Sequence, residues 1–261
     1  LDSLDPGAKQ IALHIVPRSG RVNAFLVDER GRGLKSLGGD MVNASPDPSK
    51  EVVIPAIPHM KRSGKALGHT LRVIAPGDVD ARISVELIST KGSFVPFGFD
   101  DRAVKAGIVT EIPLNPELVP STFALKITSD RPIVASVYSS TYADGKSDFV
   151  WSTSTAEMKE YSLAVSGLAP TLVFAGEKIS ISLSILSTKK KEKKFTITGE
   201  GIVTFKVPDN ARTINFIKVS DETVGGSLIS TQSGFGYLPL IPGSELTRVL
   251  LPSANIRVLN P

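Results

Sequence analysis

A recurring fragment limits what this chain can become more than any other feature. Gly107-Ile-Val-Thr110 returns unchanged as Gly201-Ile-Val-Thr204. Nearby, Ile83-Ser-Val-Glu-Leu-Ile-Ser-Thr90 returns as Ile181-Ser-Leu-Ser-Ile-Leu-Ser-Thr188. Self-similarity of this kind marks an array of like units and takes precedence over any motif inside it. The order of elements is kept as well. Ile127-Thr-Ser-Asp130 matches Val219-Ser-Asp221, and Ile133–Val137 matches Val224–Leu228. The offset between copies shortens along the unit, so loops shrink while elements persist, as connecting segments do among related modules.

The units read as β-structure. Ile179, Ile181, Leu183 and Ile185 are separated by Ser180, Ser182 and Ser184. That period of two sends one apolar row inward and one serine row outward. Ile83, Val85 and Leu87 alternate with Arg82, Ser84 and Glu86 in the same way. Both strands run into Ser-Thr-Lys, a polar hairpin tip, and the lysine-rich run 189–194 is first a charged tip of this kind. Eighteen prolines and 22 glycines supply the turns that short strands need. A unit of about 90–100 residues with about seven short strands has the size of an immunoglobulin-like sandwich. The only helical candidate, Ala156–Glu160, falls in a connection.

The register reaches both ends. Asp40-Met41 before Lys50–Ile54 parallels Asp148-Phe149 before Lys159–Leu163, with a third version from Gly236-Tyr237. Leu71–Pro76 reappears as Ile256–Pro261. The expectation is an all-β tandem of immunoglobulin-like β-sandwich modules, incomplete at both ends. Residues 1–66 are the end of a truncated module plus a junction, 67–168 and 169–254 are complete modules, and 255–261 is the first strand of another.

Composition removes several function classes. The chain has no cysteine, so disulfide scaffolds, thiolate metal sites and cysteine nucleophiles are out. A net charge of +4, mixed in sign along the chain, does not form a nucleic-acid footprint. No run of about 18 apolar residues is present to span a bilayer as a helix. The chain opens at Leu1 without a signal-peptide pattern and reads as a processed or excised segment.

No residue stands out as poised for chemistry. His14, His59 and His69 are the only histidines, and none has a partner at ligand spacing. A serine nucleophile finds no Gly-x-Ser-x-Gly elbow and no histidine in a segment that would pair with it. Gly145-Lys146-Ser147 lacks the earlier glycine and following helix of a phosphate loop, so it reads as a tight turn. Asp78 with Asp80, and Asp100 with Asp101, are carboxylate pairs that calcium could use at a loop, but solvated turn residues of this type are commoner. Trp151, with Tyr138, Tyr142 and Phe149 nearby, could stack on a sugar ring. A lone tryptophan in an alternating strand is first a core residue. The candidate ligand residues are therefore Trp151, Tyr142, Asp78 and Asp80, with no catalytic residue, metal or cofactor expected.

Thr70-Leu-Arg-Val-Ile-Ala-Pro-Gly77, the Thr128-Ser-Asp-Arg-Pro-Ile-Val-Ala135 hairpin and Ser147-Asp-Phe-Val-Trp151 resemble an actinobacterial family known as domain of unknown function five-seven-one-nine. Val52-Val-Ile-Pro-Ala-Ile-Pro58 resembles its Val-Val-Val-Pro-Gly segment, with Ala56 in place of the glycine. The likeness covers most of residues 11–165. It implies an exported, membrane-tethered envelope protein without established activity. The resulting expectation is a non-enzymatic, extracellular or envelope scaffold, spacer or interaction module, tethered by a segment outside this chain. Its partner would be a cell-envelope protein or polysaccharide. Carbohydrate-binding modules, accessory to a larger envelope enzyme, are the alternative.

Overall fold

In the computed structural model the chain is all-β, with no helix among the described residues. These are 10–16, 18–19, 24–32, 35–45, 47–59, 61–62, 65–66, 68–114, 121–143, 146–165, 170–189, 191–219, 222–231 and 235–241. The predicted strand at 255–261 lies outside them, as does the Asp144-Gly145 turn.

Strands β1 (Phe25–Arg32) and β2 (Lys35–Asn43) form a hairpin. After β3 (Ser49–His59) comes a small hairpin of β4 (Lys61–Arg62) and β5 (Lys65–Ala66). Then follow β6 (Gly68–Ile74), β7 (Ala81–Ser89), β8 (Gly92–Phe94), β9 (Arg102–Val104), β10 (Thr110–Leu114), β11 (Ser121–Ala143) and β12 (Lys146–Thr153). The last strands are β13 (Glu160–Ala164), β14 (Thr171–Ser187), β15 (Glu192–Lys206), β16 (Ala211–Lys218), β17 (Val224–Ser230) and β18 (Gly236–Pro239).

Two large antiparallel sheets result, and each curls on a long strand that changes partners at a corner. The first half of β11 pairs with β3 and β7; its second half pairs with β6 and β12. The pairing with β3 is interrupted between Thr128 and Ile133. The two halves of this sheet share one core, with Ile54, Leu71, Val85, Ile112, Phe123 and Ile127 among its members. In the second sheet β14 turns the corner. Thr171–Gly176 pairs with β17, Ile181–Ser187 pairs with β16, and β15 follows both segments. A Cβ on Gly176 would lie 2.7 Å from the Thr223 carbonyl oxygen, so this corner needs glycine. A second core gathers Leu172, Phe174, Ile181, Leu183, Ile214 and Phe216. The alternation read from Ile179–Ile185 is the inward row of that core.

Two details differ from the sequence expectation. Strand β3, assigned by sequence to a truncated preceding unit, completes the first large sheet on β11. Strand β13, assigned to the earlier unit, completes the second sheet on β16. Edge strands are specified by the partner they meet, and a repeat in the chain does not say which neighbour that is. The recurring fragment also slips. Gly107 and Gly201 both have left-handed backbone, with φ of 67° and 71°. Gly107 donates to the Ala75 carbonyl, while Gly201 pairs with Gly176. Beyond them Thr110 pairs with Val73, a core residue, but Thr204 pairs with Val173, which faces the other sheet. The extra residue in the first copy is Ile108, 62% exposed, whereas Ile202 is buried. A one-residue slip exchanges the faces of a strand, so four identical residues do different work.

Candidate functional site

A third apolar cluster joins the two sheets. Ala56, Ile88, Ala124 and Val150 come from the first; Val173, Ala175, Ile202, Ile229 and Tyr237 come from the second. Outward rows explain this. In the second sheet Thr171, Ile229 and Tyr237 lie side by side on neighbouring strands, backed by the inward row Leu172, Leu228 and Leu238. Tyr237 donates its hydroxyl to the Thr153 carbonyl at 2.6 Å, and burial raises its phenol pKa, keeping it a donor.

The same row in the first sheet is Thr70, Tyr138 and Trp151. Trp151 is half-buried and already engaged. Its indole N–H donates to Asp28 at 2.9 Å, and the Arg72 guanidinium sits 4.9 Å from its ring centre. Tyr138 packs beside it at 5.0 Å, and Arg72 is held by Glu111 at 2.7 Å. Cation–π contact and a charge-assisted bond thus fix the face of the ring. Trp151 lies at a junction, outside the core that the sequence reading favoured for it. Its backbone N–H donates to Asp40 at 2.7 Å, and the other oxygen of Asp40 accepts from Met41 N at 2.9 Å. Asp148 repeats this clasp on the second sheet, accepting from Phe149 N at 2.9 Å and Phe235 N at 3.0 Å. Burial raises the pKa of Asp40, with help from Asp28 and Asp148, against the two backbone hydrogen bonds that lower it.

The clasp makes a local prediction. A hydrogen bond to a charged group is worth about 1.5–3 kcal/mol. Asp40→Ala is expected to loosen the β1–β2 hairpin by that order and to shift the emission of the only tryptophan to the red. An unchanged fluorescence spectrum and unchanged amide exchange in β1 would contradict it.

Where the sheets diverge, an open cleft of about 670 Å³ is lined by Glu51, Glu86, Glu177, Glu200 and Glu222 around one cation, Lys126. Lys126 Nζ lies 3.2 Å from Glu177 and 3.9 Å from Glu51. Burial alone would lower the Lys126 pKa; the bond to Glu177 and the fields of Glu51, Glu177 and Glu86 outweigh it and raise the value. The cleft presents negative charge to solvent around this ammonium.

The other candidates are placed as follows. Asp80 bonds Lys105 Nζ at 2.7 Å and Ala106 N at 3.0 Å, and the Lys105 bond lowers its pKa. Asp78, two positions earlier, is exposed. Asp101 pairs with Arg82 at 3.1 Å. No group of three or more His, Asp or Glu that could hold a metal occurs among the described residues. Lys146 opens a strand rather than a helix, which removes the phosphate-loop geometry. The side chain of Tyr142 lies outside the described residues. His14 is exposed and outside any strand.

Sequence reasoning missed one cluster. His59 Nδ1 lies 2.9 Å from His69 Nε2, and His69 Nδ1 lies 2.8 Å from Ser139 Oγ. The expectation that no histidine would meet a serine is therefore corrected. His69 and Ser139 are cross-strand partners, and His59 faces them from β3. All three are buried, and Phe123 meets both rings edge-on. Burial, then the charge of His59, lowers the His69 pKa to about 4. With Ser139 fully buried and both rings nearly so, this cluster packs into the core.

No curated protein matches the chain. Among solved structures, the crystal structure of Thermotoga maritima 1070 is 14% identical, with a TM-score of 0.34, over 41% of this chain and 93% of that one. A likeness that weak carries no argument. The strand and turn motifs between Val52 and Trp151 lie within a match to a family of unknown function, DUF5719, over residues 1–208, and the chain belongs to that family.

Proposed function

We propose that the chain is a non-catalytic array of immunoglobulin-like β-sandwich modules that serves as a stiff spacer or interaction scaffold outside the cytoplasm, at the cell envelope. The observation that carries this reading is the apolar cluster between the sheets. Burying Ile88, Val173, Ile202 and Ile229 stabilises the junction by an upper estimate of about 6–12 kcal/mol, at about 1.5–3 kcal/mol per side chain. A junction of that strength holds two modules at one angle, and the loops then stand at fixed positions for a partner. On this reading the modules run from β3 to β12 and from β13 to β18.

Because the chain lacks cysteine, spin labels can be attached at Asp101→Cys and Lys193→Cys alone. Electron–electron resonance should give one narrow distance distribution; a broad one would sink the spacer reading. Carbohydrate binding draws no support from Trp151, whose N–H and ring face are occupied by Asp28 and Arg72. Glycan binding lost in Trp151→Ala, with the fold intact, would restore it.

A further inference from the structure

We infer that the outward face of the first module around Ile74, Val109 and Ile108 is a docking face for the body of a preceding module, whose last hairpin is β1–β2. The inference rests on the module reading above but not on its spacer role. Three observations carry it.

The first is positional. Ile74 and Val134 pair on the first sheet as Ala175 and Gly225 pair on the second. Likewise Tyr138 and Trp151 stand where Ile229 and Tyr237 stand. In the second module these outward positions are buried against the first. In the first module they are only half-buried, and Ile108 beside them is 62% exposed.

The second observation is the clasp. Asp148, on the last hairpin of the first module, grips the second through Phe235 N. Asp40, on β2, grips the first through Trp151 N. Each hairpin thus holds the neighbouring sheet through an aspartate on a strand N–H, the two donors lying two positions apart in the alignment that matches Trp151 with Tyr237. An established contact is continued one step, with Ile108 exposed among the described residues.

The third is a contrast within the chain. The first module meets the second through Val53, Ile88 and Ala124. The corresponding strand positions on the far side of the second module are Ser162, Leu186 and Thr213, by their pairing on β16. That surface mixes Ser162 and Thr213 with exposed Leu186 and Ile217, whereas the row that meets the second sheet is apolar throughout. Repeat arrays bury apolar outward positions against the next unit.

The test uses the natural full-length protein beside the 261-residue chain. Each carries Ile108→Cys, an exposed position in a chain without other cysteine. In the 261-residue chain the thiol should react with a maleimide at the rate of a free peptide. In the full-length protein it should react at least about tenfold more slowly, the protection expected when reaction requires local opening. Leu186→Cys, on the far side of the second sheet, should label equally fast in both. Equal rates for Ile108→Cys would overturn the inference. So would a natural chain that begins too close to Leu1 to hold a module body. Protection that appears in the 261-residue chain as its concentration rises would also overturn it, by naming a second copy as the occupant. Failure of the spacer reading is seen separately, in the distance distribution between the two modules.

Discussion

Gly225→Val is expected to unfold in two calorimetric transitions where the parent chain unfolds in one. Gly225 lies on β17, on the face turned to the first module. A Cβ there would lie 2.9 Å from Thr155 Oγ1, 3.0 Å from Val53 Cγ1 and 3.5 Å from Pro55 Cβ. The valine therefore acts as a wedge between the modules, and overpacking of this kind costs about 1–3 kcal/mol. The second module itself has no objection to valine. The corresponding position of the first module is Val134, in the same outward row of the same pairing. The variant thus tests the junction and leaves both cores unaltered. Its far-ultraviolet circular dichroism should match the parent, and the distance distribution between modules should broaden. A single transition at the parent temperature would show that the junction contributes little coupling.

Acid is expected to weaken the first large sheet through His69. Its folded pKa is lowered to about 4 from an ordinary value of 6.5. Above pH 6.5 both folded and unfolded chains hold a neutral ring, and stability is at its full value. As pH falls from 6.5 to 4, the unfolded chain takes a proton that the fold refuses, so stability declines. The decline totals about 3 kcal/mol, at 1.36 kcal/mol per pKa unit, and levels off below pH 4. Asp40 runs the other way, since a raised carboxyl pKa favours the fold at low pH. Denaturant melts of the parent and His69→Leu across this range separate the two. The variant loses stability at every pH because Ser139 and His59 lose a partner, but its slope between pH 6.5 and 4 should flatten. An equal slope in both proteins would remove His69 as the cause.

What was legible in the chain is what period-two alternation reports, namely the inward rows. Ile179–Ile185 and Ile83–Leu87 face their cores as read. The outward rows carry no such mark. Val173 and Ile229 alternate like any half-exposed strand residue, and only the second layer makes them an interface. For the same reason Trp151 was torn between core and ligand platform, when its neighbours Asp28 and Asp40 lie more than a hundred positions away in sequence. The histidine relay was hidden differently. His59 and His69 are ten residues apart, but they meet because β3 and β6 pair with opposite halves of β11. The small-residue strand around Ser139 gave no signal of a polar partner. The identical Gly-Ile-Val-Thr fragments promised identical roles, and one extra residue at Ile108 broke that promise.

The partner exchange of β3 and β13 bears on how such a chain can grow. A gene segment copied in the frame of the visible repeat, from about residue 67 to 168, would yield a unit whose β13 belongs next door and whose own edge strand is missing. Copied instead from β3 through β12, the segment carries every strand of its sheet, the Asp148 side of one clasp and the Trp151 N–H that donates to another. Insertion of that permuted segment adds a sheet without opening a core. Duplication and loss in this family should therefore fall at the connections just before β3 and just after β12, with hairpin and host inherited together.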